Sequence, residues 1–399
     1  MTKRVELLAP AGDLNRGIIA LDFGADAIYF GAQQYSLRAR ASNFTPDNIR
    51  EISEYAHSKN KHIYLVANIL CHEPMLPGFK PFLDNVMKYK PDAFISSDPF
   101  IISSIHKNYP EAQIHVSTQQ SITNSKGALF FKKNGATRVI LSREVSYDEL
   151  KQMTKALNGA IEVETFVHGA VCIAYSGRCM LSNNFCFRDA NIGGCAQSCR
   201  WQMSLFDGDK EISEYFTMSA KDMCQLQNTK KLIKANVASF KIEGRMKSEH
   251  YIATVVNDYR KTIDAYYDGV NPGKQYINDV AAAANRETSI AWFDGKPGIQ
   301  QMLYHEEAKK VTQNFVFSIT SKVNANTYVI LSRNNFKLTD KFEILSQKQK
   351  DIVNIGVSKI VDKDGNEIEV AKTPMSVLTV TFEKDIDLLP NDIVRIKAK

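Results

Sequence analysis

Residues Glu162–Trp201 read EVETFVHGAVCIAYSGRCMLSNNFCFRDANIGGCAQSCRW, a strand that runs directly into a cysteine-rich excursion. In the first part Val163, Thr165 and Val167 share one face and Glu162, Glu164, Phe166 and His168 the other, the period of two that marks a strand. The second part holds five of the seven cysteines, Cys172, Cys179, Cys186, Cys195 and Cys199, and Cys224 follows shortly after. Gly169, Gly177, Gly193 and Gly194 let the backbone turn tightly around something small. Five cysteines on one excursion read as ligands rather than as core.

Outward from this stretch, the first two-thirds of the chain repeats one unit: a β-rich run, a polar turn and a helical pattern. Strand candidates are Val5–Ala9, Asp26–Gly31, His62–Asn68, Ala93–Asp98, Gln113–Gln119, Arg138–Arg143, Ile161–His168 and Ser239–Arg245, eight in all. Helical patterns include Asn15–Phe23, Pro46–Ser58, Phe82–Lys88, Ser125–Asn134 and Ser146–Leu157. Asp13, Thr45 before Pro46, and Ser146 with Glu149 three residues on supply N-caps. Eight strands alternating with helices predict an α/β fold, a TIM-like (β/α)8 barrel whose seventh and eighth strands are joined by the long cysteine loop. A doubly wound sheet is the alternative, but no glycine-rich dinucleotide loop follows the first strand.

After the last barrel strand, Ser248–Asp268 reads as a tyrosine-rich helix. From Gln313 the pattern changes to alternating runs, NFVFSITSKV, TYVILSR, KFEIL, IVNIGVSKIV, IEVA, SVLTVTF and DIVRIKAK, with turns such as Asp364-Gly365. The expected domains are a catalytic barrel over 1–270 with the cysteine loop at 169–225, a connecting helical segment over 271–311, and a small all-β barrel over 312–399. Small barrels of this kind often touch nucleic acid and as often serve only as structure.

Size and composition set the remaining bounds. A chain of 399 residues exceeds one ordinary core, and 44% hydrophobic with 24% charged residues is the balance of a globular protein in water. No apolar run reaches the length of a membrane span and no signal segment is visible, so a cytoplasmic location with no membrane partner is expected. There, clustered cysteines bind metal or do redox chemistry more often than they pair. The net charge of +6 permits a nucleic-acid partner without requiring one. Neither HExxH nor GxSxG occurs, so the sequence gives a protease no positive support.

Strand parity divides the barrel residues. Ile114 and Val116 face helices and Gln113, His115, Ser117 and Gln119 face the axis; Glu162, Glu164 and His168 face inward on the seventh strand, and Lys241, Glu243 and Arg245 on the eighth. Polar inward layers near the C-terminal strand ends mark the usual catalytic mouth, with a buried ion-pair network as the equal alternative. Among the cysteines, six residues separate Cys172 from Cys179, three separate Cys195 from Cys199, and Cys224 lies in KDMC. Four thiolates suit a structural zinc or an iron–sulfur cluster, and the wide, irregular spacing without paired CxxC knuckles favours the cluster. Cys71 reads as a buried small hydrophobe and Cys186, between Phe185 and Phe187, as packing. A metal-free nucleophile, Cys172 beside His168, would leave the neighbouring thiols without purpose.

At these residues the chain resembles a known family. ETFVHGAVCIAYSGRCMLS is similar to the signature of the collagenase-like peptidases of family U32, and RDANIGGCAQSCRW, KDMC and SFKIEGRMKS to its further blocks. LLAPAGD, YSLRARASNF and ILSREVS resemble its N-terminal blocks, and RNNFKLTDKFEIL its C-terminal β-domain, so the likeness covers nearly the whole chain. One departure is Ser198 where the family's pattern has proline, which loosens that turn. The fusion of barrel and β-domain resembles the bacterial branch of tRNA hydroxylation proteins. That resemblance implies a prephenate-dependent enzyme making 5-hydroxyuridine at the wobble position of tRNA with a 4Fe-4S cluster, and allows a second family member as protein partner. It implies Cys172, Cys179 and Cys195 as ligands with Cys224 as the fourth, Cys199 being the rival. His168, Glu164, Glu243, Arg245 and Arg143 would then bind substrate or move protons, Arg38 and Arg40 would hold the carboxylates of a prephenate-like donor, and Gln119 would contact substrate. Lys241, Arg260 and the β-domain would meet tRNA phosphates. The alternatives are a peptidase, as the family name implies, and a zinc-stapled scaffold that binds RNA or protein.

Overall fold

The computed structural model describes residues 4–37, 43–273, 275–284, 286–304, 313–348 and 352–397. Its first part alternates strands β1 (Glu6–Pro10), β2 (Ala27–Gly31), β3 (His62–Val66), β4 (Ala93–Ser96), β5 (Gln113–Val116), β6 (Arg138–Ile140) and β7 (Glu162–Gly169) with helices α1 (Leu14–Asp22), α2 (Pro46–Ser58), α3 (Leu76–Met87), α4 (Pro99–Asn108), α5 (Ser125–Lys133) and α6 (Tyr147–Leu157). The excursion then carries α7 (Leu181–Cys186), a hairpin of β8 (Met203–Asp207) and β9 (Lys210–Phe216), β10 (Asp222–Cys224) and α8 (Thr229–Lys234), before β11 (Ser239–Ile242). Strand β11 pairs in parallel with both β1 and β7, so β1 to β7 and β11 close an eight-stranded parallel barrel. All eight expected strands are present. Strand β10 adds antiparallel to β7, and β12 (Thr288–Ser289) extends it, after α9 (Glu249–Tyr267) and α10 (Gln275–Ala283).

Local chemistry explains the element starts. The Asp13 carboxylate accepts the Arg16 N–H at 2.9 Å, and Thr45 and Ser146 each close a capping box. Strand β2 is buried at every position because helices cover one face and the barrel interior the other. Helix α3 begins at Leu76, six residues before the Phe82 expected from the pattern. No helix among the described residues is long and apolar enough to cross a membrane.

The floor of the barrel, at the N-terminal strand ends, is ionic. Arg138 donates to Glu6 at 2.6 Å, Glu162 at 2.7 Å and Glu164 at 3.1 Å, and the Lys241 ammonium meets Glu164 at 2.9 Å. Tyr64 and Ser239 add hydrogen bonds to Glu6 at 2.6 and 2.7 Å. Burial opposes the Arg138 charge, but Glu6 and Glu164 outweigh it and hold the guanidinium charged. Glu164, expected among the catalytic residues, has no exposed surface and belongs to this network. Of the two readings the sequence left open for it, the buried ion pair is the one observed. Above the floor lies an apolar tier that includes Tyr29, Val66, Ile95, Ile140 and Phe166.

A second unit contains a closed six-stranded antiparallel barrel of β13 (Gln313–Lys322), β14 (Thr327–Ser332), β16 (Lys341–Leu345), β17 (Val353–Val361), β19 (Val377–Phe382) and β20 (Ile393–Lys397), with β15 (Phe336–Lys337) and β18 (Val370–Ala371) as a separate pair. Residues 248–255 and 278–284 cluster with it. Within this unit the fully buried Arg395 pairs with Asp279 and with Glu343. Within the segment 271–311 read as a connector, residues 278–284 cluster with the β-barrel unit, and 275–277 and 286–304 with the first.

Candidate active site: a cation-rich, thiol-lined cavity at the barrel mouth

The C-terminal strand ends and the cysteine excursion enclose a cavity of about 440 Å³. Glycines bring the excursion down onto the barrel. Gly177, at φ +74°, sits so close to Gln119 that a Cβ would overlap its carbonyl, and Gly169, at φ +107°, packs on the Glu243 backbone in the same way. Polar contacts fix the approach: the Ser176 N–H donates to Glu144 at 3.1 Å and the Leu70 N–H to the Asn191 carbonyl at 3.2 Å.

Cys172, Cys179, Cys195 and Cys199 all line this cavity; Cys186 and Cys224 do not. Cys172 and Cys195 are exposed, but to the cavity they line. Burial pushes the Cys199 thiol up, and Cys172, Cys195 and Cys179 push it further while Arg200 opposes them. Cys224, the expected fourth ligand, lies on β10 opposite His168, and its thiol is hydrogen-bonded to Tyr259. The rival, Cys199, is the cysteine that joins the other three. No three His, Cys, Asp or Glu among the described residues form a group able to hold one metal ion. Two thiolates on one zinc stand within about 4.6 Å, twice a Zn–S bond, whereas a four-iron cluster meets its cysteines at separate corners. Four thiols bordering one cavity are a donor set of the kind that holds such a cluster.

His168 departs from its expected position. Lys241 pairs with Phe166 and Ile242 with His168, so β7 carries one extra residue, Val167, at that step. This bulge reverses the alternation. The His168 ring meets Tyr259 of α9 edge-on at 5.7 Å and does not line the cavity. The Val167 carbonyl is taken by the Tyr259 hydroxyl at 2.7 Å and the Gln225 N–H at 2.8 Å, which holds the bulge in place. Burial pulls the His168 pKa down to about 4, so the ring is neutral near pH 7.

The remaining expected residues converge. Arg143 and Glu243 pair at 3.2 Å, and the Arg143 guanidinium lies over Phe166 at 4.0 Å from its centroid. Arg245 is buried and donates to the Ser36 hydroxyl at 3.1 Å. Gly12 and Gly31 make room for it, since a Cβ on either would overlap its carbonyl or its guanidinium. Gln119 faces the cavity and accepts from the Asn68 amide at 2.8 Å. Arg38 and Arg40 lie outside the described residues, although Leu37 beside them lines the cavity. Arg260, expected near phosphates, is instead paired with Asp26 at 2.9 Å and Asp264 at 2.8 Å.

Three further cations line the cavity that the sequence reading did not single out: Arg200, Lys247 and Arg286. Arg200 follows Cys199 and Lys247 lies in the EGRMK block, so only Arg286 came without a nearby signal. With Arg143, Lys241 and Arg245 they make six cationic residues around a lining whose acid is Glu243. Such a site selects anionic ligands.

A second arrangement with hydrolytic associations fails on geometry. Ser53 Oγ lies 3.4 Å from His57 Nδ1, and His57 Nε2 3.0 Å from Asp92. The Ser53 hydroxyl, however, is buried and donates to the Tyr89 carbonyl at 2.7 Å, so it is not presented as a nucleophile.

Residues 12–303 match Peptidase family U32 and residues 312–395 match the Peptidase family U32 C-terminal domain. The chain is 40% identical to tRNA hydroxylation protein P1 of Bacillus subtilis over 99% of this chain and 95% of that protein. It is 35% identical to a 23S rRNA 5-hydroxycytidine synthase of Escherichia coli, over 66% of this chain and 40% of that protein. It is 32% identical to a protein named Collagenase from Porphyromonas gingivalis, over 66% of each chain.

Proposed function

The chain belongs to peptidase family U32, and from that membership we propose that it is an RNA-modifying hydroxylase acting in the cytoplasm, which forms 5-hydroxyuridine at the wobble position of tRNA with an iron–sulfur cluster and prephenate as co-substrate. The observation that carries the reading is the placement of four thiols and six cations around one cavity at the barrel mouth. A full-length relative named for tRNA hydroxylation supports it. Cys172, Cys179, Cys195 and Cys199 would hold a 4Fe-4S cluster, and when bound it supplies redox chemistry at the roof of the cavity.

The protein's own groups have separable tasks. Arg143 and Arg245 offer guanidinium forks to the carboxylates of an anionic co-substrate. Stacking on Phe166 and the hydrogen bond to Ser36 fix their directions, so little freedom is lost on binding. Glu243, held by Arg143, can accept or return a proton at the base. The joined amides of Asn68 and Gln119 suit the edge of a pyrimidine, and Tyr29 and Phe166 supply an apolar wall. A wobble base reaches such a pocket only when splayed out of its stack, as single-stranded loops allow.

The test is nucleoside analysis of tRNA from a deletion strain carrying the gene or its variants. Wild-type protein and Cys224→Ala should restore 5-hydroxyuridine, and Cys179→Ala and Cys199→Ala should not. Anaerobically purified protein should contain about four irons and four sulfides, the content of a cubane. Restoration by Cys179→Ala would sink the reading, and loss with Cys224→Ala alone would return the fourth ligand to Cys224.

A further inference from the structure

The cations of the cavity fall into separate groups. Lys241 is matched by Glu164 at 2.9 Å and Arg143 by Glu243 at 3.2 Å. On another part of the lining, Lys247 and Arg286 share a single buried carboxylate, Asp222, at 3.4 and 2.8 Å. Arg200 stands with them and spends its donors on neutral acceptors, the Ser219 hydroxyl and the Ala220 and Val171 carbonyls. Three cationic side chains are thus gathered on one part of the lining, and the fold holds them there: β10 carries Asp222, and the Arg200 contacts pin the end of the cysteine excursion.

What borders this cluster is aromatic and exposed. Trp201, directly after Arg200, is 44% exposed and stands 6.4 Å from the ring of Phe185, itself 50% exposed. Met246, between Arg245 and Lys247, is 59% exposed and lines the cavity. Cations that track a backbone beside open aromatic faces form the pattern that binds single-stranded nucleic acid without regard to sequence. A small carboxylate would use the charges and leave the rings idle.

We propose that Arg200, Lys247 and Arg286 clamp a backbone phosphate of the RNA strand beside the nucleotide that enters the cavity, with a neighbouring base stacked on Trp201. This rests on the RNA reading above and adds to it the element that grips the strand rather than the base. Asp222 holds two of the cations in register while no phosphate is present.

The experiment is equilibrium binding of a fluorescently labelled anticodon stem-loop to the full chain across a salt series. Lys247→Gln and Arg286→Gln should each weaken binding several-fold, equally for loops of different sequence. Each should flatten the slope of log affinity against log salt by about 0.7, the value for one phosphate contact on a single strand. Lys247→Arg, which keeps the charge, should keep the slope, and Trp201→Ala should weaken binding by about tenfold while leaving the slope unchanged. Each single variant leaves Asp222 one cation, and its melting temperature reports whether the fold is intact. No binding by the wild-type protein would overturn the RNA reading and the clamp together. Wild-type binding with an unaltered slope in both glutamine variants would overturn the clamp alone. So would a variant whose only change is a raised requirement for the small co-substrate, because that outcome gives the cluster to a carboxylate.

Discussion

The floor and the mouth of the barrel are built from the same residue types, yet they treat charge in opposite ways. At the floor Arg138 is surrounded by Glu6, Glu162 and Glu164, and Lys241 completes the set, so each of these charges has an opposite partner within 3.1 Å. At the mouth cations outnumber acids in the lining, glycines make room for a guanidinium, and the thiols of the excursion border the space. Charge that is closed on itself stabilises; charge left over is available to a ligand. Polarity of the inward layer alone does not separate the two cases, and the matching of partners does.

The largest effects should come from breaking that rule in each place. Arg138→Met removes the cation from three acids at the floor, of which Glu164 is fully buried. It should cost about 3–5 kcal/mol, the loss on removing one partner of a buried pair, and chemical denaturation should show it as a lowered midpoint. Glu243→Gln at the mouth should cost little stability but reduce tRNA modification by about 10²-fold or more if the carboxylate handles a proton. A floor variant that folds normally, or a mouth variant that fails to fold, would erase the distinction.

A pair of glycines sharpens it further at intermediate size. Gly177 and Gly159 have the same φ of +74°, but a Cβ on Gly177 would overlap the Gln119 carbonyl while one on Gly159 meets nothing within 4 Å. Alanine at either site should cost about 1–2 kcal/mol for the left-handed backbone. Only Gly177→Ala should also reduce iron content and activity, since it displaces the segment between Cys172 and Cys179. Equal iron content in the two variants would mean that the close approach at Gly177 does not position the thiols.

Much of this was legible in the sequence, for reasons that can be named. The eight barrel strands declared themselves because each is short, rich in branched residues and bounded by caps such as Thr45 and Ser146 that form in place. The cysteine excursion stood out because nothing else in a barrel calls for five thiols on one loop. His168 was misread because alternation holds only while the ladder is regular, and the bulge at Val167 is secured by Tyr259, ninety-two residues away. The choice between Cys199 and Cys224 is equally non-local, as both follow plausible spacings and only the folded excursion shows which faces the cavity. Arg286 and Asp222 meet across sixty-four residues and carry no mutual signal. The hairpin of β8 and β9 was overlooked although Gly208 between alternating runs announces it.

The smallest expected effect lies outside both regions, at the N-terminal rim, where pairing is exposed. His62 Nδ1 lies 3.2 Å from Asp92, whose other oxygen meets His57 at 3.0 Å. The hydrogen bond it donates to Asp92 raises the His62 pKa, with burial and Arg138 opposing and Glu6 assisting. A raised folded-state pKa means stability that is fully present below the unfolded value, near 6.5, and lost as pH rises through the folded value. Burial alone would raise the Asp92 pKa, but hydrogen bonds from His62, the Ile63 N–H and His57 outweigh it and lower the value. Its contribution is therefore lost at the other end, as pH falls through the depressed carboxylate pKa. Because His62 is 55% exposed, solvent screening limits the pair to the low end of roughly 0.2–1 kcal/mol. The melting temperature of wild-type protein should exceed that of His62→Asn at about pH 5.5 and match it by about pH 8.5. A difference of constant size across that range would show that His62 acts there by packing and not by charge, and the rim would then follow neither the rule of the floor nor that of the mouth.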